Sequence, residues 1–184
     1  MTKRFQKLLL VISMLALGAC AALVPHEYLI SHERLNAKLA KSFPVRRDLA
    51  NGLFSVTVNT PELGFLTAQN RIMLAANFSA YSVLSGVVQG HFVLTSSLRY
   101  DANQHALFLQ DANFDSIKIE QDDAYAQMLR PALSMMLNDY LKENPLYHFQ
   151  AIELRFAQTE IDIIGIEVVE NGIKLKLSPS QPAP

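Results

Sequence analysis

The 184-residue chain holds one cysteine, Cys20, and no tryptophan. A lone cysteine cannot close an intramolecular disulfide, so the fold must be held by its core alone. An excess of either charge is missing too, with 16 basic against 17 acidic residues and a formal net charge of −1. No basic stripe runs along the chain, which argues against nucleic acid as a partner. Arg46-Arg47, the basic doublet of the chain after Cys20, is followed by Asp48 and reads as a solvated loop. There is no glycine-rich phosphate loop and no internal repeat. The five histidines (His26, His32, His91, His105 and His148) lack zinc-site spacing. Neither an HExxH helix nor a GxSxG elbow is present. These absences lead us to expect a non-enzymatic protein with no metal and no cofactor.

What the chain does have begins at its N-terminus. Lys3, Arg4 and Lys7 stand without an acid among them, and residues 8–19, LLLVISMLALGA, carry no charge. That is the basic start and apolar run of a secretory signal peptide. The run of 12 residues is too short to cross a bilayer, which takes about 20. Leu17-Gly18-Ala19 before Cys20 resembles the bacterial lipobox. The resemblance implies cleavage before Cys20, a thioether-linked diacylglycerol on its sulfur and an acylated amine. Three acyl chains would hold permanently where one holds marginally. Ala21 stands where an aspartate would signal inner-membrane retention in enterobacterial lipoproteins, so the resemblance implies the outer membrane. The alternative is an ordinary signal peptide with a chance cysteine. The expected organisation is a lipoprotein leader over 1–19 and an acylated cysteine and tether over 20–25. A single domain would follow over 26–177, then a disordered tail over 178–184. The mature chain would hold 13 basic and 17 acidic residues, a charge of −4, because the leader removes three basic residues.

Within the domain, EYLI (27–30) reads as a short strand. Ser31 can cap a helix running to about Ser42, with Leu35, Leu39 and Phe43 on one face and Pro44 ending it. The period then changes to two. Phe54, Val56 and Val58 alternate with polar residues. Ile72, Leu74, Ala76, Phe78 and Ala80 take one face of the next strand. Val88, Phe92, Leu94, Leu98 and Tyr100 take one face of the one after it. A loop at 102–104 would place Leu98 opposite Phe108, Leu94 opposite Ala112 and Phe92 opposite Phe114. On the outer face Thr95 would meet Asp111 and His91 would meet Asp115. Leu107, Leu109, Ile117 and Ile119 would then be apolar residues on that outer face. His91 beside Asp115 could be an acid–base pair, but a solvated cross-strand pair is the plainer reading.

Residues 122–143 make the strongest helix. Its wide apolar stripe includes Tyr125, Met128, Leu129, Leu133, Met136, Leu137, Tyr140 and Leu141, with a kink expected at Pro131. Asn144-Pro145 stops it. LYHF (146–149) reads as a strand, 151–164 as strand or short helix, and Asn171-Gly172 as the type I′ turn of a closing hairpin. The expected fold class is α+β: a long, curved antiparallel sheet wrapped around a long kinked helix, with a short N-terminal helix.

A lipobox, LISHERLNAKLAKSFP, long strands with FLQDANFDSIKIE, the helix MLRPALSMMLNDYLKENPLY and GIEVVENGIKLKL follow in that order. This order resembles the YceB-like lipoproteins of Gram-negative bacteria, a family without established function. That family is similar in fold to the tubular lipid-binding (TULIP) superfamily, which implies an apolar groove for a lipid or other hydrophobic molecule. The expected groove lies between the long helix and the sheet. It would be lined by Phe54, Val56, Val58, Ile72, Leu74, Phe78, Phe92, Leu94, Met128, Leu133, Met136 and Tyr140. The same residues could equally be filled core, and Met128, Met135 and Met136 could be pocket or packing. The alternative function is a structural or adaptor lipoprotein that acts on another envelope protein through its surface.

Overall fold

A computed structural model of the protein describes residues 25–49, 54–82, 86–120, 123–156 and 159–180. Residues 1–24, with the expected leader and Cys20, and residues 181–184 lie outside the described residues, as do the side chains of Phe54, Tyr125, Met128 and Leu129. Strand β1 (Glu27–Ser31) runs directly into helix α1 (His32–Ser42). As the capping rule predicts, the Ser31 hydroxyl accepts from the Arg34 N–H, and Leu35 and Leu39 are buried. Pro44 follows the last turn through a cis peptide bond from Phe43. The strands β2 (Val45–Leu49), β3 (Phe54–Val58), β4 (Glu62–Leu66), β5 (Arg71–Ser82), β6 (Gly86–Asp101) and β7 (Ala106–Ile119) follow. Helix α2 (Asp123–Glu143), β8 (Tyr147–His148), β9 (Arg155–Phe156), β10 (Thr159–Val169) and β11 (Gly172–Pro179) complete the order.

These strands form two antiparallel sheets. One has the order β2-β3-β5-β6-β7-β8, with β4 beside β3 along β5. The other has the order β1-β11-β10-β9. Both sheets and both helices feed one hydrophobic core. Asn70, in the left-handed region at φ 51°, joins them at one edge. Its side-chain oxygen accepts from Val168 N–H at 2.7 Å and its nitrogen donates to Ile166 C=O at 3.3 Å, as a strand residue would.

A sheet wrapped around a long helix does not form. The chain is mostly strand, and among the described residues α2 lies chiefly against one strand, β7. The reason is the width of the stripe that α2 buries. Leu133, Leu137 and Leu141 are buried at spacing four, Met136 and Tyr140 are half-buried, and Met135 is 68 % exposed. One such ridge covers one strand. The inner faces of β5, β6 and β7 fill the space instead, with the Phe78, Phe92 and Phe114 rings in series at 6.3 and 6.2 Å.

The register of β6 on β7 also departs from expectation. The turn takes four residues, so Asp101 pairs with Ala106, Leu98 with Leu109 and Leu94 with Phe114. Phe92 pairs with Ile117 and His91 with Lys118. Two shifts, between Val93 and Leu94 and between Thr95 and Ser97, each move β7 by a residue. A residue inserted in a strand reverses which face its neighbours take. That is why Leu107 and Leu109, then Ala112 and Phe114, then Ile117 and Ile119 all reach the core, in alternating phase. Asp111 takes a left-handed φ of 53° at the second shift. The carbonyls it turns aside are satisfied. The Arg71 guanidinium donates to Asp111 C=O at 2.7 Å and Thr95 C=O at 3.0 Å. The fully buried Ser96 hydroxyl donates to Gln110 C=O at 2.7 Å.

The closing hairpin pairs Val169 with Gly172, so its central residues are Glu170 and Asn171. Neither has the positive φ that a type I′ turn requires. Of residues 151–164, Ala151–Leu154 form a short 3-10 turn, 155–156 form β9 and 159–164 open β10. Strand β11 runs on to Pro179, so Ser178 and Pro179 pair with Asp162 and Ile161 where a tail was expected.

Candidate ligand-binding cleft

Both helices end at a proline-containing step, Phe43-Pro44 and Asn144-Pro145, because proline's ring disfavours helix in the residue before it. The two C-terminal ends converge over the sheet, and a cleft of about 450 Å³ lies between them. Its α1 wall is Lys38, Leu39, Ser42 and Phe43. Its α2 wall is Tyr140, Leu141 and Asn144, continued by Pro145, Leu146 and His148. Leu74 of β5 and Leu109 of β7, both buried, form the floor. The volume falls in the range of small-molecule sites, about 300–1,000 Å³.

The walls are held firmly. Phe43 and Tyr140 meet edge to face at 6.1 Å. The Asn144 backbone and side-chain N–H groups both donate to Tyr140 C=O, at 3.0 and 2.8 Å, closing the end of α2. Leu146 N–H donates to Leu107 C=O at 2.8 Å and seats the segment on β7. The Ser42 hydroxyl turns back to Lys38 C=O at 3.2 Å.

Beyond Lys38 lies a polar hub. Glu153 Oε1 accepts from Tyr147 OH at 2.7 Å, Tyr28 OH at 3.0 Å and Arg34 Nη2 at 2.8 Å. Its Oε2 accepts from Gln150 N–H at 2.8 Å, and Arg34 Nη1 donates to Tyr28 OH. Burial pushes the Glu153 carboxyl up, but the four donors outweigh it and hold it below its ordinary value. Burial first, then the bond to Glu153, raises Tyr147 and Tyr28, so both remain donors. The hub ties β1, α1 and the segment after α2 together on one side of the cleft. No sequence pattern marks it, because its members come from positions 28, 34, 147 and 153 and share no periodicity.

Of the expected groove residues, Leu74 and Tyr140 line this cleft. Val56, Val58, Ile72, Phe78, Phe92, Leu94 and Leu133 are closed core, and Met136 packs half-buried against it. Phe54 opens β3 opposite Ser82, and Met128 lies within α2, but their side chains are outside the described set. The other ten lining residues, Lys38, Leu39, Ser42, Phe43, Leu109, Leu141, Asn144, Pro145, Leu146 and His148, were missed. Two helices each halted by a proline were the available signal, but not that their ends meet.

His91 does not face Asp115. Its Nδ1 lies 3.0 Å from Asn77 Oδ1. Among the described residues no three metal-ligating side chains converge, and no helix is long and apolar enough to cross a membrane.

Residues 30–171 match a family profile described as a protein of unknown function, DUF1439. The chain belongs to this family. The match begins in β1 and ends in the β10–β11 turn, so it takes in the larger sheet, both helices and the whole lining of the cleft, and stops short of β11 in the smaller sheet. No curated protein matches the chain.

Proposed function

We propose that this family member is a lipoprotein of the outer membrane, held at the periplasmic face by acyl chains on Cys20. Its domain takes a lipid or other hydrophobic molecule into the cleft between the two helix ends. The YceB-like resemblance belongs to the same proposal. The observation that carries the binding reading is the apolar lining of the cleft. Leu39, Phe43, Leu74, Leu109, Leu141 and Leu146 turn toward one space. The anchoring rests on the basic start, the short apolar run and Leu17-Gly18-Ala19 before Cys20. The ligand site is thus moved from the length of the long helix, where the core is closed, to its end.

Anchoring is tested by Cys20→Ala. The variant should take no palmitate label and should leave the outer-membrane fraction. A wild-type chain without label, or a variant that floats unchanged with outer membranes, overturns the anchor.

Binding is tested on the full chain in phosphatidylcholine nanodiscs with a diazirine-bearing 12-carbon fatty acid. Photolabel should concentrate on peptides containing residues 38–43 and 140–148. Ser42→Trp places a large ring at the exposed mouth and should cut that label several-fold while thermal unfolding stays close to wild type. Label spread evenly over the surface, or none, would leave the adaptor reading in its place.

A further inference from the structure

We infer that the cleft selects amphiphiles with an anionic head and that Lys38 is the residue that reads it. This rests on the cleft being a ligand site, and it names the class of ligand. Lys38 is half-buried and lines both the 450 Å³ cleft and a neighbouring hollow of about 320 Å³ bounded by Arg34, Lys41, Tyr147 and Glu153, whose carboxylate is already taken by four donors. Its ammonium lies 5.4 Å from the Tyr147 ring centroid, stacked on an aromatic face rather than paired with a carboxylate. Among the described ion pairs Lys38 has no partner, whereas Arg34 is taken by Glu153 at 2.8 Å. No aspartate or glutamate lines the cleft. The Arg47 guanidinium sits 5.6 Å from the ring centroid of Tyr140, a wall residue, but outside the lining itself.

Two helix C-termini point partial negative charge toward the same place. Each is met by its own cation in the last turn, Lys41 in α1 and Lys142 in α2. Lys38 is therefore the one Lys or Arg in the lining of an apolar slot, while the acids of the last turn of α2, Asp139 and Glu143, are exposed and lie outside that lining. A single acyl chain against Leu39, Phe43 and Leu146, with its head at Lys38, satisfies both features. A neutral head would leave the ammonium unpaired at the rim.

A carboxylate and a phosphate head share this chemistry, and the test separates them. Full chain in phosphatidylcholine nanodiscs is photolabelled with diazirine-bearing dodecanoate, dodecyl phosphate and dodecanol, and the cleft peptides are quantified. Wild type should take either or both anions over the alcohol. Lys38→Gln should lower the anion signal about fivefold, as expected for one partly exposed charge pair, and leave the alcohol signal unchanged. Lys38→Arg should restore the anion signal, because it restores the charge. The larger of the two anion signals identifies the head group. Equal labelling by anions and alcohol, unaltered by Lys38→Gln, overturns the inference while the binding site stands. Absence of cleft label from all three probes removes the site itself.

Discussion

Phe92→Asp should unfold the domain, while His91→Ala should leave its stability within about 0.5 kcal/mol of wild type. The two residues are neighbours on β6 and point to opposite faces. Phe92 is 4 % exposed and its ring bridges those of Phe78 and Phe114. Removing a buried Phe costs about 3–5 kcal/mol. An unpaired carboxylate in its place adds several more. Together these consume most or all of the 5–15 kcal/mol that holds a typical domain. His91 stands partly in solvent, with its Nδ1 at 3.0 Å from Asn77 Oδ1. Urea denaturation followed by far-ultraviolet circular dichroism measures both. A cooperative transition for Phe92→Asp near the wild-type midpoint, or a collapse of His91→Ala, would mean that β6 presents the other face to the core.

Gly172→Ala should destabilise the protein by roughly 3 kcal/mol, at the upper end of what overpacking a well-filled site costs. Gly172 has φ 157° and opens β11 where β1 crosses it. A Cβ at this position would collide with Ile30 C=O and lie 3.2 Å from Ser31 Cα. Those are backbone atoms, so no side-chain rotation relieves the clash. Strand β1 must move away from β11, and Ile30, fully buried, moves with it. The His32 N–H bond to Asn171 C=O at 2.8 Å, which seats the first turn of α1, is strained by the same shift. Denaturant midpoints compared with Gly165→Ala make the test specific. There the added methyl meets only Lys176 side-chain atoms at 3.3 Å or more, and that side chain can give way. Equal small effects at both glycines would show that β1 is not held so closely to β11.

Several elements were legible in the sequence because local rules dictate them. Ser31 as cap, Leu35 and Leu39 as the buried face and Pro44 as the stop describe α1 without reference to the rest of the protein. Strand β5 fills Arg71–Ser82, the stretch whose alternation of Ile72, Leu74, Ala76, Phe78 and Ala80 marked it. Strand β7 was harder for a stated reason. Its apolar residues change phase twice, and a strict period of two can be laid only on one part of it. The pairing through Leu98–Leu109 is decided by a four-residue turn and by bulges whose carbonyls are satisfied by Arg71 and Ser96, from neighbouring strands. No window of β7 contains those partners.

The sequence by itself determined where α1, β5, β6 and α2 would form and which face of α1, β5 and β6 avoids water, since periodicity, caps and proline act within a few residues. It also carries the Leu17-Gly18-Ala19-Cys20 signature on which the anchor is proposed. Only the tertiary structure decided what covers each apolar face. Alternation is the same whether a strand faces a helix, a second sheet or a bound molecule, because burial is non-directional. The phenylalanines of β5, β6 and β7 turned out to cover one another. The long helix covers β7, and an apolar-lined cleft is left where two helix ends meet. The place of Lys38 beside that cleft follows from the meeting of chain segments about 100 residues apart, a separation over which no local pattern acts.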